Sequence, residues 1–228
     1  MAGRVVAWMV VVLVAFATLS GCAGRGTPAN ALVSGVDPGD RELALELQAI
    51  DEEIEFLETW LAGYPGRFES RRERMQVATR WRAAVERAVV LLNVDLQHPE
   101  LFARVGELYR QGHNLDVPDA AGSAYNTLNR CLALARDHVG CHFSLARLFL
   151  ASPPQYAARA EQHLERIRSL VEPDSRPDVE AALAQAYFVQ GRRSAALRQV
   201  DHYLTLEPDD AEAKRFRKEL LIEVQSGR

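Results

Sequence analysis

The chain has 228 residues, and the groups whose spacing invites a chemical reading are its three cysteines and six histidines. His138 and His142 stand four residues apart with Cys141 between them. On a helix that spacing puts two rings on one face, where a metal ion could be held. A metal also needs a third ligand and an outer shell of partners, and His138 is expected in the turn between helices, so core or surface histidines are the simpler reading, and no metal or other cofactor is expected. Cys131 and Cys141 are separated by ten positions on consecutive helices. A disulfide there would stabilise by up to about 3 kcal/mol on the loop-entropy account; the alternative is two small buried side chains in a tight helix contact. The pair does not have the Cys-x-x-Cys-His spacing of haem attachment. Gly21, Gly24 and Gly26 follow no strand, which excludes a phosphate loop. His98 and His113 read as loop residues, His163 and His202 as helix-surface ones. No catalytic set emerges, and the chain reads as a non-enzyme.

Cys22 stands apart from these. Arg4 precedes the apolar run Val5 to Ala17, and Thr18-Leu19-Ser20-Gly21 then leads into Cys22. The run is short for a membrane-spanning helix, which needs about 20 residues, and suits the core of a signal peptide. Leu19-Ser20-Gly21-Cys22 resembles the lipobox of bacterial lipoproteins. The resemblance implies that residues 1–21 are removed and that diacylglyceryl is attached to the Cys22 sulfur. Two or three acyl chains anchor durably where one does not. The alternatives are an ordinary signal peptide with a chance cysteine, or an uncleaved anchor. Residues 22–36 read as a flexible tether. Ala23, in place of the Asp of inner-membrane retention, implies an outer-membrane location facing the periplasm.

The chain as a whole has the composition of a folded domain, with 48% hydrophobic and 25% charged residues. A net charge of −4 gives no footprint for nucleic acid. The apolar period is helical throughout, so the expected class is all-α. Leu43, Leu47, Ile50, Ile54, Leu57 and Leu61 form one seam, stopped by Gly63-Tyr64-Pro65-Gly66. A second helix is expected over 67–96, with Met75, Ala78, Trp81, Val85, Ala88, Leu92 and Leu96 on its apolar side. Residues 41–62 carry one Arg against seven acidic residues, and residues 67–87 carry seven Arg against three Glu. An acidic helix followed across a tight turn by a basic one reads as a helical hairpin over 37–98.

From residue 99 the pattern repeats. Leu183, Ala184, Tyr187, Gly191, Ala196 and Pro208 resemble the tetratricopeptide repeat, a helix-turn-helix unit. Phe102, Val105, Gly106, Tyr109 and Gly112 match a preceding first helix. Ala124, Leu128, Cys131, Leu132 and Leu134 match its second, after a His113–Gly122 loop. Leu145, Ala146 and Phe149 mark the next unit, whose second helix begins at Pro153-Pro154, carries Ala160, Leu164 and Ile167, and closes at Pro173. The resemblance implies a short α-solenoid of antiparallel helix pairs over 99–208, with 209–228 as a capping helix presenting Phe216, Leu220 and Val224 inward.

In that family the concave surface is lined by first-helix positions. Carried over, these are Ala103, Glu107 and Arg110, then Phe143, Arg147 and Leu150, then Gln185, Phe188 and Val189. Arg110 and Arg147 would grip a carboxylate, and Phe143 and Phe188 would anchor a peptide or partner helix. The resemblance thus implies a membrane-anchored scaffold that binds other envelope proteins during complex assembly, as similar lipoproteins do as secretin pilotins or in outer-membrane barrel assembly. An envelope metal binder or enzyme using His138, Cys141 and His142, and a plain structural spacer, are the alternatives.

Overall fold

The computed structural model describes residues 38–226 apart from 96 and 173. The signal segment 1–21, Cys22 and the 22–36 tether lie outside the described residues, as do Leu96 and Pro173. The described residues form nine α-helices and no strand.

Helix α1 (Pro38–Leu61) places Ile50, Leu57 and Leu61 at 1% exposure or less, so the expected seam is its buried face. Helix α2 (Arg71–Val94) begins later than the sequence suggests. Ser70 caps it by accepting from the Glu73 N–H, and Glu73 in turn accepts from the Glu69 N–H and from Trp60 Nε1. Its buried stripe is Val77, Trp81, Ala84, Ala88 and Leu92. Met75, expected inside, is 62% exposed. The shift is set by α3: the Trp81 indole donates to Leu108 O at 2.6 Å, and this fixes which side of α2 turns inward. The opposed charges of the hairpin meet as Glu53–Arg80 and Glu46–Arg87 pairs.

Three helix pairs follow: α3 (Pro99–Asn114) with α4 (Ala120–Leu134), α5 (Val139–Leu150) with α6 (Ala157–Arg168), and α7 (Pro177–Val189) with α8 (Arg193–Leu206). Helix α9 (Ala211–Gln225) covers the last pair with Phe216 and Leu220. Small residues let the paired helices approach. Gly106 on α3 faces Leu128 on α4 so closely that an added Cβ would lie 2.5 Å from its Cδ2. Gly191 takes φ +76° in the α7–α8 turn, where the missing Cβ removes the strain. The expected His113–Gly122 loop is shorter than the sequence suggests: α3 runs on to Asn114 and α4 begins at Ala120, while Gly112 lies against the Trp81 ring. One apolar cluster runs from α1 through α7, and a second joins α7, α8 and α9.

Cys131 in the last turn of α4 is bonded to Cys141 in the first turn of α5, with Cα atoms 6.5 Å apart. Both sulfurs are buried.

Two glycines of the α3–α4 pair separate close packing from helix propensity. Gly106→Ala should destabilise by about 1–3 kcal/mol through overpacking. Gly122→Ala, whose Cβ meets nothing within 4 Å, should stabilise by about 0.5–1 kcal/mol. Urea unfolding of the two variants measures both.

Candidate functional site

Helix α1 ends with no basic residue in its last turn. Its final carbonyls therefore have neither an intrahelical partner nor a local cation. Helices α3 and α5 supply both. Leu61 O accepts from Arg110 Nη1 at 3.2 Å and from Asn114 Nδ2 at 2.8 Å, and Ala62 O accepts from Arg147 Nη2 at 2.8 Å. The two guanidiniums are balanced by two carboxylates. Arg110 pairs with Glu107 at 2.6 Å and with Glu58 at 3.0 Å, while Arg147 donates to Glu58 and reaches Glu107 at 3.5 Å. Ser144 and Gln111 donate to Glu107 Oε2 and Glu58 Oε2, respectively. Burial alone would raise the Glu58 pKa. The attraction of Arg147 and Arg110 outweighs it and holds this carboxyl below the usual range.

This cluster forms one wall of a groove of about 710 Å³. The end of α1 contributes Glu58 and residues 62–64, the end of α3 His113 and Asn114, α5 Phe143, Arg147 and Leu150, and α7 Asp178, Ala182, Gln185 and Val189. The Tyr64 and His113 rings stack at 4.8 Å on one side. Phe143 lies between two cations, with Arg176 5.1 Å and Arg147 5.7 Å from its ring centre. Arg176 is itself held by both oxygens of Asp178.

Five residues expected to meet a partner, Phe143, Arg147, Leu150, Gln185 and Val189, are thus brought together. Two are not. Arg110 is 1% exposed, and its guanidinium is committed to Glu58, Glu107 and Leu61 O, so it supports the groove from behind and cannot grip a ligand carboxylate. Phe188 turns to the other side of α7, edge-on to Phe216 at 5.2 Å with Arg193 4.1 Å over its ring. Sequence reasoning missed Glu58, Tyr64 and Asn114. The unpaired acidity of α1 was the available signal for Glu58.

The trio His138, Cys141 and His142 does not converge. His138 is the N-cap of α5, with φ −70° and ψ 104°, so the four-residue spacing does not stack its ring over His142. Its Nε2 lies 2.9 Å from Glu100, and its Nδ1 accepts from the Cys141 N–H. His142 instead places Nε2 3.1 Å from Arg136 O and Nδ1 2.8 Å from His163 Nδ1. Those partners make His142 Nδ1 the acceptor and His163 the donor. His113, read as a loop residue, lies on α3, and His163 lies between α5 and α6 rather than on an open surface.

Burial, with a smaller push from His142, lowers the His163 pKa from 6.5 to about 4, and burial lowers His142 as well. Both rings stay neutral in the fold at pH values where the unfolded chain takes up protons. Stability should be fully present above pH 6.5 and fall as the pH drops toward 4. Thermal unfolding across that window should show a shallower loss for His163→Gln than for the native chain.

No protein-family model matches the sequence, and no curated protein matches it. The fold does have solved counterparts. One is TTC0263, a thermophilic TPR protein of Thermus thermophilus, with a TM-score of 0.53 and 18% identity over 80% of this chain and 98% of that one. Another is MamA, with a TM-score of 0.48 and 15% identity over 71% of this chain and 98% of that one. The likeness to TTC0263 gives the chain the tetratricopeptide-repeat fold, an α-solenoid of antiparallel helix pairs entered through a helical hairpin.

Proposed function

We propose that this protein is a non-catalytic scaffold lipoprotein, held by lipid on Cys22 at the outer membrane facing the periplasm. Its groove would hold an extended segment or helix of another envelope protein during assembly of a complex. The observation that carries the reading is the composition of the groove. Phe143, Leu150, Ala182 and Val189 give it an apolar floor, and its charged groups are already matched: Arg147 to Glu58, Asp178 to Arg176. Apolar contact over a preformed channel, with polar groups at the edges, suits capture of a peptide or helix. Asn114 Oδ1, buried in the wall without a hydrogen-bond partner among the described residues, adds an acceptor beside the channel. No helix among the described residues is long and apolar enough to cross a membrane.

The two halves of the proposal are tested separately. Cys22→Ser should move the protein from the membrane to the soluble fraction. A Phe143→Asp, Leu150→Asp pair should keep the native helical spectrum and reduce co-purification of envelope partners at least tenfold. An unchanged partner set would remove the groove from the account, and continued membrane retention of Cys22→Ser would remove the anchor.

A further inference from the structure

The bridge between α4 and α5 sits beside the His138 imidazole. Cys131 Sγ, Cys141 Sγ and a His138 ring nitrogen all lie within 4.8 Å of one another. Tetrahedral Zn²⁺ with two sulfur ligands and one nitrogen needs these atoms about 3.5–3.8 Å apart, given its bond lengths. Breaking the S–S bond lets the sulfurs separate to that distance. The His138 tautomer is set by its neighbours: Nδ1 accepts from the Cys141 N–H at 3.2 Å, and Nε2 lies 2.9 Å from Glu100 Oε1. Nε2 therefore carries the proton, and the Nδ1 lone pair faces the Cys141 N–H, a capping bond that a metal on Nδ1 would displace. An imidazole that donates its far N–H to a carboxylate is the usual outer-shell arrangement of a zinc-bound histidine. Cys141 is the third residue of α5, so its thiolate would lie at a helix N-terminus, where negative charge is favoured. The sulfurs are buried, and the His138 side chain is 14% exposed.

We propose that reduction of the Cys131–Cys141 bridge creates a Zn²⁺ site made of both thiolates and His138, with water as the fourth ligand. A dithiol or phosphine supplies two electrons and is itself oxidised; the S–S bond breaks and each sulfur takes one proton. Zn²⁺ then binds both sulfurs and releases those two protons to solvent. The oxidised chain has a staple between α4 and α5, and the reduced chain exchanges it for a metal clip at the same place. His142, bonded to His163 and Arg136 O, takes no part.

Cobalt is the probe. The full-length protein, purified as Cys22→Ser so that Cys131 and Cys141 are its only thiols, is reduced with a water-soluble phosphine, desalted under nitrogen and titrated with Co²⁺. The reduced form should develop sulfur-to-cobalt charge-transfer absorption and the intense visible bands of four-coordinate cobalt. Both should saturate at one ion per chain and be bleached by Zn²⁺. The oxidised form should show neither. His138→Asn keeps a side chain that caps α5, so its helical spectrum should be native while Co²⁺ affinity falls at least tenfold. His142→Gln should leave the absorption unchanged. A reduced, still-helical protein without charge-transfer bands would overturn the proposal, as would His138→Asn binding at the original affinity.

Discussion

The last turn of α1 must find partners for its carbonyls, and the fold is arranged around the answer. Arg110 and Asn114 from α3 and Arg147 from α5 reach Leu61 O and Ala62 O. Two cations near a helix C-terminus complement its dipole, but a buried guanidinium is costly unless matched. Glu58 and Glu107 match them, one from α1 and one from α3. The cluster therefore ties the hairpin to the first two helix pairs through charge and hydrogen bonds as well as apolar contact. Its net worth against a hydrophobic core is small, but breaking it by removing one member costs about 3–5 kcal/mol. It thus specifies one docking position for α1 more than it adds stability.

The groove follows from that docking. The end of α1 and the 62–64 turn close one side, and α5 and α7 form the rest. Because Arg147 spends its donors on Glu58 and Ala62 O, the channel offers an apolar floor with matched charges at its edges. Tyr64, His113 and Gln185 line the same channel. On the far side of α7, Phe188 joins Phe216 in the second apolar cluster, so one helix serves the groove and the C-terminal cap with opposite faces.

Much of this was legible in the sequence, for local reasons. The α1 seam, the large-small-aromatic pattern of the repeats and the small residues at helix crossings are local periodicities, and a packed helix must obey them. Five groove residues were reachable because position on a first helix decides which way a side chain faces. What failed depended on distant partners. Nothing near Arg110 in sequence shows that Glu58, 52 residues earlier, lies within hydrogen-bond reach. Met75 and Val77 lie on opposite sides of α2, and the Trp81 contact with α3 shows which of those sides turns inward. The loop expected over 113–122 is shorter, because α3 extends to Asn114 and α4 begins at Ala120.

The Glu58–Arg110–Glu107–Arg147 cluster holds the end of α1 in place and so builds the groove wall. Hydrogen–deuterium exchange of the native chain beside Glu58→Ala puts this to the test. The variant should show faster amide exchange over residues 54–64 and at the start of the groove wall, with α8 and α9 unchanged. Equal exchange over 54–64 in the two proteins would mean that apolar packing alone positions α1, and the cluster would lose its role.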